Sequence, residues 1–170
     1  HGGTDPGAQG PTGLQEKAVN LAVSLHLAEL LRQAGARVVM TRSSDQTVSL
    51  AERSQLANGE RVDWFISIHC NSFTDASAQG TETYHFPGDG LGNRLASSVQ
   101  ARLVEVLGRP SRGVKTGSFH VIRETAMAAI LTELAFISNP EEELLLADPR
   151  LQASAAHAIY QGVLSVAAQR

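Results

Sequence analysis

Four residues of this sequence could together form a catalytic metal site: His1, Glu16, His69 and Glu133. Two imidazoles and a carboxylate are the ligand set of several catalytic zinc sites, which keep one coordination position open for water. His1, Glu16 and His69 offer that set, and Glu133 would stand close to the metal without serving as a ligand. The combination suggests metal-assisted hydrolysis, although no short motif such as H-E-x-x-H is present to fix the spacing.

Each of these residues, taken alone, also has a purely structural explanation. Glu16 falls in the first turn of a predicted helix, where the helix dipole favours a negative charge. His69 ends a predicted strand and could be a satisfied histidine there. Glu133 lies inside the apolar run 130–137. A charged side chain is rarely buried without a partner, so a buried salt bridge is the ordinary explanation for Glu133.

The elements that must position these residues alternate between helices and strands. A glycine-rich loop, residues 1–13, precedes a helix that we expect to run to about Ala34, with Thr12 and Gln15 forming a capping box. Further helices are predicted over 49–58, 91–107, 141–147 and 150–168. Short apolar or alternating runs predict five strands, which are ARVVMTR (36–42), DWFISIH (63–69), GTETYHF (80–86), FHVIR (119–123) and AAILTEL (128–134).

This alternation predicts an α/β fold with a largely parallel sheet. The run DWFISIH is continuously apolar, as in a strand covered on both faces, whereas GTETYHF alternates and suits a strand nearer an edge. Ligands of open α/β sheets collect at the carboxyl ends of the strands. Because His69 and Glu133 fall near the ends of two predicted strands, we expect them at the same edge of the sheet.

Composition limits the possible partners. At 170 residues the chain is long enough for one domain, 1–170, with a buried core. The formal charge is 14 − 17 = −3, which gives no broad basic surface for nucleic acid. No apolar run approaches the roughly 18 residues that a membrane-spanning helix needs. The single cysteine, Cys70, excludes an internal disulfide, and we expect a buried free thiol there.

Five stretches that together cover nearly the whole chain carry a family resemblance. They are HGGTDPGAQGPTGLQEKAVNLAVSLHLAELL, VVMTRSSDQTVSLAERSQLAN, FISIHCNS, GTETYHF and ILTELAFISNPEEE. In this order, with short gaps, they resemble the zinc-dependent N-acetylmuramoyl-L-alanine amidases, the type-3 amidase domain of bacterial cell-wall hydrolases. The resemblance implies a three-layer α/β fold of the phosphorylase/hydrolase-like type, with a mostly parallel, roughly six-stranded sheet between helices.

The same resemblance implies the chemistry. His1, Glu16 and His69 would bind one Zn²⁺ per chain, and Glu133 would be the catalytic general base and acid. The reaction would hydrolyse the amide between N-acetylmuramic acid and the L-alanine of the stem peptide, with a water activated by the zinc. The partner would be peptidoglycan, with Asn71 and Arg123 as candidate substrate contacts. We expect a monomer without membrane insertion, acting in the cell envelope, in the periplasm or at the extracellular wall.

The sequence departs from the family at its start. Members begin with a strand and an Asp-Pro-Gly before the histidine that matches His1, and neither is present here. Either the chain was trimmed or the first strand is missing and the site is weakened. Two other functions therefore stay open: a zinc peptidase that acts on free peptides, and a module that binds peptidoglycan without cutting it. Some members carry an inserted helix that blocks the zinc site, and the short stretch 72–90 predicts an open site instead.

Overall fold

A four-stranded sheet forms the centre of the molecule. The computed structural model describes residues 1–169, so the predicted domain, 1–170, extends one residue outside the described range. The strands are β1 (Trp64–Asn71), β2 (Thr81–His85), β3 (Ser111–Thr116) and β4 (Ala128–Phe136). The helices are α1 (Glu16–Gln33), α2 (Leu50–Glu60), α3 (Gly90–Leu107), α4 (His120–Arg123), α5 (Pro140–Ala147) and α6 (Pro149–Ala167).

The strands lie in the order β1-β4-β2-β3. β1 pairs with β4 in parallel and β2 pairs with β3 in parallel, while β2 and β4 are antiparallel. Two of the three ladders are therefore parallel, which confirms the predicted α/β class and its mostly parallel sheet. The predicted count of about six strands is wrong, since the described residues form four.

Helices cover both faces of the sheet and complete three layers. On one face α1, α3 and α6 pack together around a core that includes Val19, Val99, Ile130 and Ile159, all with no exposed surface. On the other face the short helix α4 packs on β4 and on α2. This second face has a smaller core of Val121, Ile122, Ala129 and Leu131.

Two of the five predicted strands are not strands. Residues 36–42 run without ladder pairing, and together with β1 they line a cavity of about 640 Å³. Val39 and Ile66 line this cavity from its two sides. The run FHVIR forms α4 instead of a strand, and Val121 and Ile122 both point into the smaller core. Consecutive apolar residues suit a buried helical turn as well as a strand, which explains the wrong prediction.

The β3 strand was not predicted, and its presence changes the position of β2. β3 reads SRGVKT, with two cations and a glycine, and so lacks an apolar strand pattern. Because β3 forms the outer edge, β2 lies between β3 and β4 and is not near an edge as predicted. Thr81 and Thr83 of β2 are accordingly fully buried.

The predicted helices are confirmed, with one difference at the start of α1. Its N-cap is Gln15, which makes no side-chain capping hydrogen bond, so the predicted capping box with Thr12 is wrong. Thr12 instead donates its backbone N–H and its hydroxyl to Glu143 of α5. Among residues 1–169, none of the helices combines the length and apolar character that a bilayer crossing requires.

Candidate metal centre

Three predicted ligands, from three separate parts of the chain, converge at the carboxyl end of β1. His1 is the first residue of the glycine-rich loop, Glu16 opens α1, and His69 lies two residues before the end of β1. One ligand atom of each lies within 4.8 Å of the others. The Glu16 carboxylate is central, with Oε1 2.8 Å from His69 Nδ1 and Oε2 3.3 Å from His1 Nε2.

Neighbouring donors hold the Glu16 carboxylate in place. Oε2 accepts from the backbone N–H of Ala8, and Oε1 accepts from the Asn20 amide and the backbone N–H of Cys70. Burial raises the pKa of Glu16, but the hydrogen bond and charge of His69 and the Ala8 hydrogen bond outweigh it, so the pKa lies below the ordinary value. The lowered pKa favours the ionised form of Glu16, although this side chain is buried.

Each histidine has a partner for its second ring nitrogen. His1 Nδ1 is 2.7 Å from Asp5 Oδ2, and His69 Nε2 is 3.0 Å from Ser67 Oγ. Such outer partners fix the ring orientation of metal-binding histidines and select the nitrogen that faces the metal. The two rings meet edge to face with centroids 5.1 Å apart, so both open nitrogens are directed toward Glu16.

A glycine leaves the space that this arrangement needs. Gly7 adopts φ +69°, and a Cβ there would lie 2.6 Å from Glu16 Oε2 and 2.8 Å from the His1 ring. The loop that follows His1 can therefore approach the cluster only because residue 7 has no side chain.

The donor set fits a zinc ion. Tetrahedral zinc with bonds of about 2.1 Å places its ligand atoms roughly 3.4 Å apart. The 2.8 and 3.3 Å distances end on the two different oxygens of Glu16, and one donor atom from each of the three residues lies within 4.8 Å of the other two. The side chains of His1 and His69 are 29% and 21% exposed, so the cluster is open on one side. Two neutral imidazoles and one carboxylate would leave the fourth position of a zinc ion free.

Glu133 lies beside His69 on the neighbouring strand. The parallel ladder places His69 opposite Glu133, so the two side chains share a face of the sheet. Its Oε2 is buried and has no hydrogen-bond partner within residues 1–169. Burial raises the pKa of Glu133 well above its ordinary value, and the carboxylates of Glu16 and Glu82 raise it further. An uncompensated buried carboxyl at the edge of a metal cluster is typical of a functional group rather than a structural one.

The expected salt bridge that could have explained Glu133 is not formed within residues 1–169. The nearby cations Arg112 and Lys115 bind Glu82 instead, which lies opposite Glu133 in the antiparallel ladder with β2. Sequence reasoning missed Glu82 as part of this site. In the sequence, Glu82 is a glutamate between two threonines of a short alternating strand. That pattern is usual for a strand with one solvent-exposed face, so it does not indicate a buried glutamate.

The two candidate substrate contacts are placed differently. Asn71 ends β1, and its amide donates to Glu82 Oε1 at 2.8 Å, which puts it beside Glu133. Arg123 ends α4, and its guanidinium donates to Ser118 and Glu124, which are its near neighbours in the sequence. Cys70 is buried and free, as predicted, with its thiol toward Asn20 on the core side.

The glutamates that follow Pro140 are structural, but two of them are not surface residues. Glu142 is fully buried and accepts from Gly80 N, Phe136 N and Arg109 Nε. Glu143 is 1% exposed and accepts from Thr12 and Leu14. Their hydrogen bonds connect α5 to β4, to the residue before β2 and to the glycine-rich loop, and so stabilise the elements around the candidate metal site. Residues 72–80 form a loop and 81–85 form β2, so no helix is inserted in this stretch.

Comparison with known proteins agrees with this geometry. The family profile described as N-acetylmuramoyl-L-alanine amidase matches residues 1–165. YqiI of Bacillus subtilis is 45% identical over 96% of this chain and 79% of its own length. The N-acetylmuramoyl-L-alanine amidase LytC of Bacillus subtilis is 40% identical over 97% of this chain. The chain spans only 34% of the length of LytC.

A solved structure gives the same result for the fold. The catalytic domain of CwlV, an N-acetylmuramoyl-L-alanine amidase from Bacillus (Paenibacillus) polymyxa var. colistinus, superposes with a TM-score of 0.95 at 35% identity. The superposition covers 100% of this chain and 95% of that domain. With the profile match over nearly all of its length, the chain belongs to the N-acetylmuramoyl-L-alanine amidase family.

Proposed function

We propose that this chain is a zinc-dependent peptidoglycan amidase that cleaves the bond between the lactyl group of N-acetylmuramic acid and the L-alanine of the stem peptide. The observation that carries the proposal is the position of Glu133. Its unpartnered Oε2 lies on the same sheet face as His69, beside three side chains whose donor atoms fit zinc. The printed name of LytC supports the choice of bond, and two further relatives that match 96% of the chain are named as cell-wall amidases, which supports the choice of substrate.

The chain's own residues would divide the work as follows. His1, Glu16 and His69 hold the metal, while Asp5 and Ser67 keep the two imidazoles oriented. Bound zinc would supply Lewis acidity, which polarises the substrate carbonyl and makes a water molecule easier to deprotonate.

Glu133 would move the proton. As general base its carboxylate accepts a proton from the attacking water, and as general acid it passes that proton to the nitrogen of the departing L-alanine. Burial raises the pKa of Glu133, which favours the protonated form that this residue needs as general acid. The products are a lactyl carboxylate on the muramic acid and a free amino terminus on the peptide.

The site of action would be the cell envelope, because two relatives that match 96% of the chain are named as cell-wall amidases. The substrate there is a polymer, and the open side of the cluster, where His1 and His69 are partly exposed, would admit it.

Product analysis on purified peptidoglycan tests the proposal. Zinc-loaded protein should release peptides that carry N-terminal L-alanine and leave muramic acid with a free lactyl carboxyl group, detected by amino-group labelling and mass spectrometry. Cleavage between two amino acids of the peptide would identify a peptidase instead. Sedimentation with the wall without any new amino termini would identify a binding module. Either of those two results would overturn the amidase proposal.

A further inference from the structure

The buried carboxylate of Glu82 pairs with two cations, although one would neutralise its charge. Its Oε1 accepts from the Asn71 amide at 2.8 Å and the Tyr84 hydroxyl at 2.7 Å. Its Oε2 accepts from Arg112 Nε at 2.9 Å and from Lys115 Nζ. Two cations therefore share one anion, and this group of residues has a surplus of one positive charge.

Both cations keep unused donors toward solvent. Glu82 is 3% exposed, whereas the side chains of Arg112 and Lys115 are 41% and 37% exposed. Each cation gives Glu82 one donor and Arg112 gives a second to the Gln79 carbonyl, while an ammonium has three donors and a guanidinium has five. The Arg112 guanidinium is also held over the Phe136 ring, 4.9 Å from its centroid, so its orientation is restricted.

The surplus charge lies in line with the candidate metal centre. The ladders place His69 opposite Glu133, and Glu133 opposite Glu82, so these three residues form a row across β1, β4 and β2 on one face. β3, which carries Arg112 and Lys115, is the next strand. The charged groups of both cations reach back to Glu82 Oε2, so they lie about one strand spacing, roughly 4.8 Å, beyond Glu133 in this row.

We propose that Arg112 and Lys115 form a carboxylate-binding subsite that recognises an acidic residue in the peptide part of the substrate. This inference rests on the proposed amidase function. The muramoyl side of the bond has no free carboxylate next to it, because the lactyl carboxyl group is consumed in the amide. The peptide side is therefore the part that can offer an anion to the cations.

The spacing predicts which residue carries the anion. An extended chain advances about 3.4 Å per residue, so roughly 5 Å corresponds to one or two residues beyond the L-alanine at the cleaved bond. The recognised carboxylate should therefore belong to the second or third residue after the cleaved bond. A salt bridge between a carboxylate and the Lys115 and Arg112 donors should be sensitive to ionic strength, since both cations are partly exposed.

Paired synthetic substrates test the subsite. Two muramoyl tripeptides with a blocked C-terminus would differ only in whether the side carboxyl of the second peptide residue is free or amidated, with a second pair for the third residue. Wild-type protein should prefer the free carboxylate of one pair by about tenfold in kcat/KM, mainly through KM, as for a charge-assisted hydrogen bond. That preference should shrink as salt is added.

Variants then assign the preference to the cations. In Lys115→Gln and Arg112→Gln the ratio between the two substrates should fall toward one, through a higher KM for the carboxylate. Arg102→Gln is the matched control, because Arg102 lies on α3, pairs with Glu105 at 3.3 Å, and should leave the ratio unchanged. Circular dichroism and the melting temperature check that each variant is folded.

The outcomes separate this inference from the proposed function. If the wild-type protein cleaves neither member of a pair and also releases no peptides in the wall assay, the amidase function itself is wrong. If it cleaves both members of each pair with equal KM, or if the two cation variants keep the wild-type ratio, the subsite is wrong while the amidase function stands.

Discussion

Glu82 and Glu133 lie opposite each other on neighbouring strands, yet their surroundings differ completely. Glu82 has four donors on its two oxygens, whereas Oε2 of Glu133 has no partner within residues 1–169. Burial raises the pKa of both carboxyls, but for Glu82 the hydrogen bonds from Lys115, Tyr84 and Arg112 outweigh it and lower the pKa. One carboxylate is thus fixed as an anion, and the other is free to exchange a proton.

The lowered pKa of Glu82 predicts a pH-dependent contribution to stability. At pH 7, Glu82→Gln should lower the free energy of unfolding by about 2 kcal/mol, because hydrogen bonds to a buried charge are lost. The contribution is fully present above the unfolded-state pKa of about 4.3 and is lost as the pH falls through the lower folded-state pKa. The difference between variant and wild type should therefore shrink below about pH 4.3.

Urea unfolding of both proteins at a series of pH values, with a chelator present throughout, measures this difference. A gap between variant and wild type that stays constant down to pH 3, or one that widens on acidification, would contradict the ion-pair account of Glu82.

The contact between His1 and Asp5 predicts an effect on metal affinity. In Asp5→Asn the 2.7 Å partner of His1 Nδ1 loses its charge, so the zinc affinity should fall about 10- to 100-fold. Competition with a chromophoric chelator measures the affinity. Asp75→Asn is the matched control, because the side chain of Asp75 accepts hydrogen bonds from Ser77 in an exposed turn. This variant should bind zinc with the wild-type affinity. Equal affinities in the two variants would remove Asp5 from the site.

At the scale of elements, the sequence pattern predicted the helices and strands whose apolar residues form the core. The apolar spacing of α1, α3 and α6 and the continuous apolar runs of β1 and β4 predicted these elements, and the shared edge for His69 and Glu133 follows from the parallel ladder. The pattern failed where pairing or tertiary contact decides. β3 exists because its backbone pairs with β2, although its own sequence is polar, and FHVIR buries two residues as a helical turn.

The contact between α5 and the glycine-rich loop also required the structure. From sequence, the glutamates after Pro140 are explained by the helix dipole alone, and nothing in the pattern shows which of them turns inward. Glu143 turns inward because the loop presents Thr12 and Leu14 N–H groups to it, 129 to 131 residues earlier in the chain.

This contact makes a prediction that compares two neighbouring glutamates. Glu143→Gln should destabilise the fold by about 2–3 kcal/mol, because three loop donors lose a charged acceptor. Glu141→Gln, on the same helix with a side chain that is 82% exposed, should cost less than about 0.5 kcal/mol. Denaturant unfolding compares the two variants. Similar losses for both would show that Glu143 does not anchor the loop.

At the scale of the whole molecule, the candidate metal site brings together residues from distant parts of the chain. His1 comes from the start of the chain, Glu16 from α1 and His69 from β1, so a bound ion would link the loop, a helix and the sheet. Composition and charge indicated only the class of protein. The family resemblance supplied the candidate ligand set, and the fold brings one donor atom of each of its three members within 4.8 Å of the others.

Zinc should therefore stabilise the folded protein. At a free zinc concentration of a hundred times Kd, the free energy of unfolding should rise by about 2.7 kcal/mol. Differential scanning calorimetry with and without chelator measures the shift. His69→Ala should abolish it, while His26→Ala, an exposed histidine on α1, should keep it. The cluster would be excluded as the zinc site if His69→Ala kept the full shift.

The most direct test of the central claim is the rate at which Glu133→Gln releases N-terminal L-alanine from purified peptidoglycan, measured together with bound zinc. Loss of the proton carrier should lower that rate by about 10²- to 10⁴-fold, with zinc content equal to wild type. Glu105→Gln, a glutamate on α3 with a side chain that is 68% exposed, is the control and should retain the wild-type rate. A near-normal rate in Glu133→Gln with zinc bound would contradict the account.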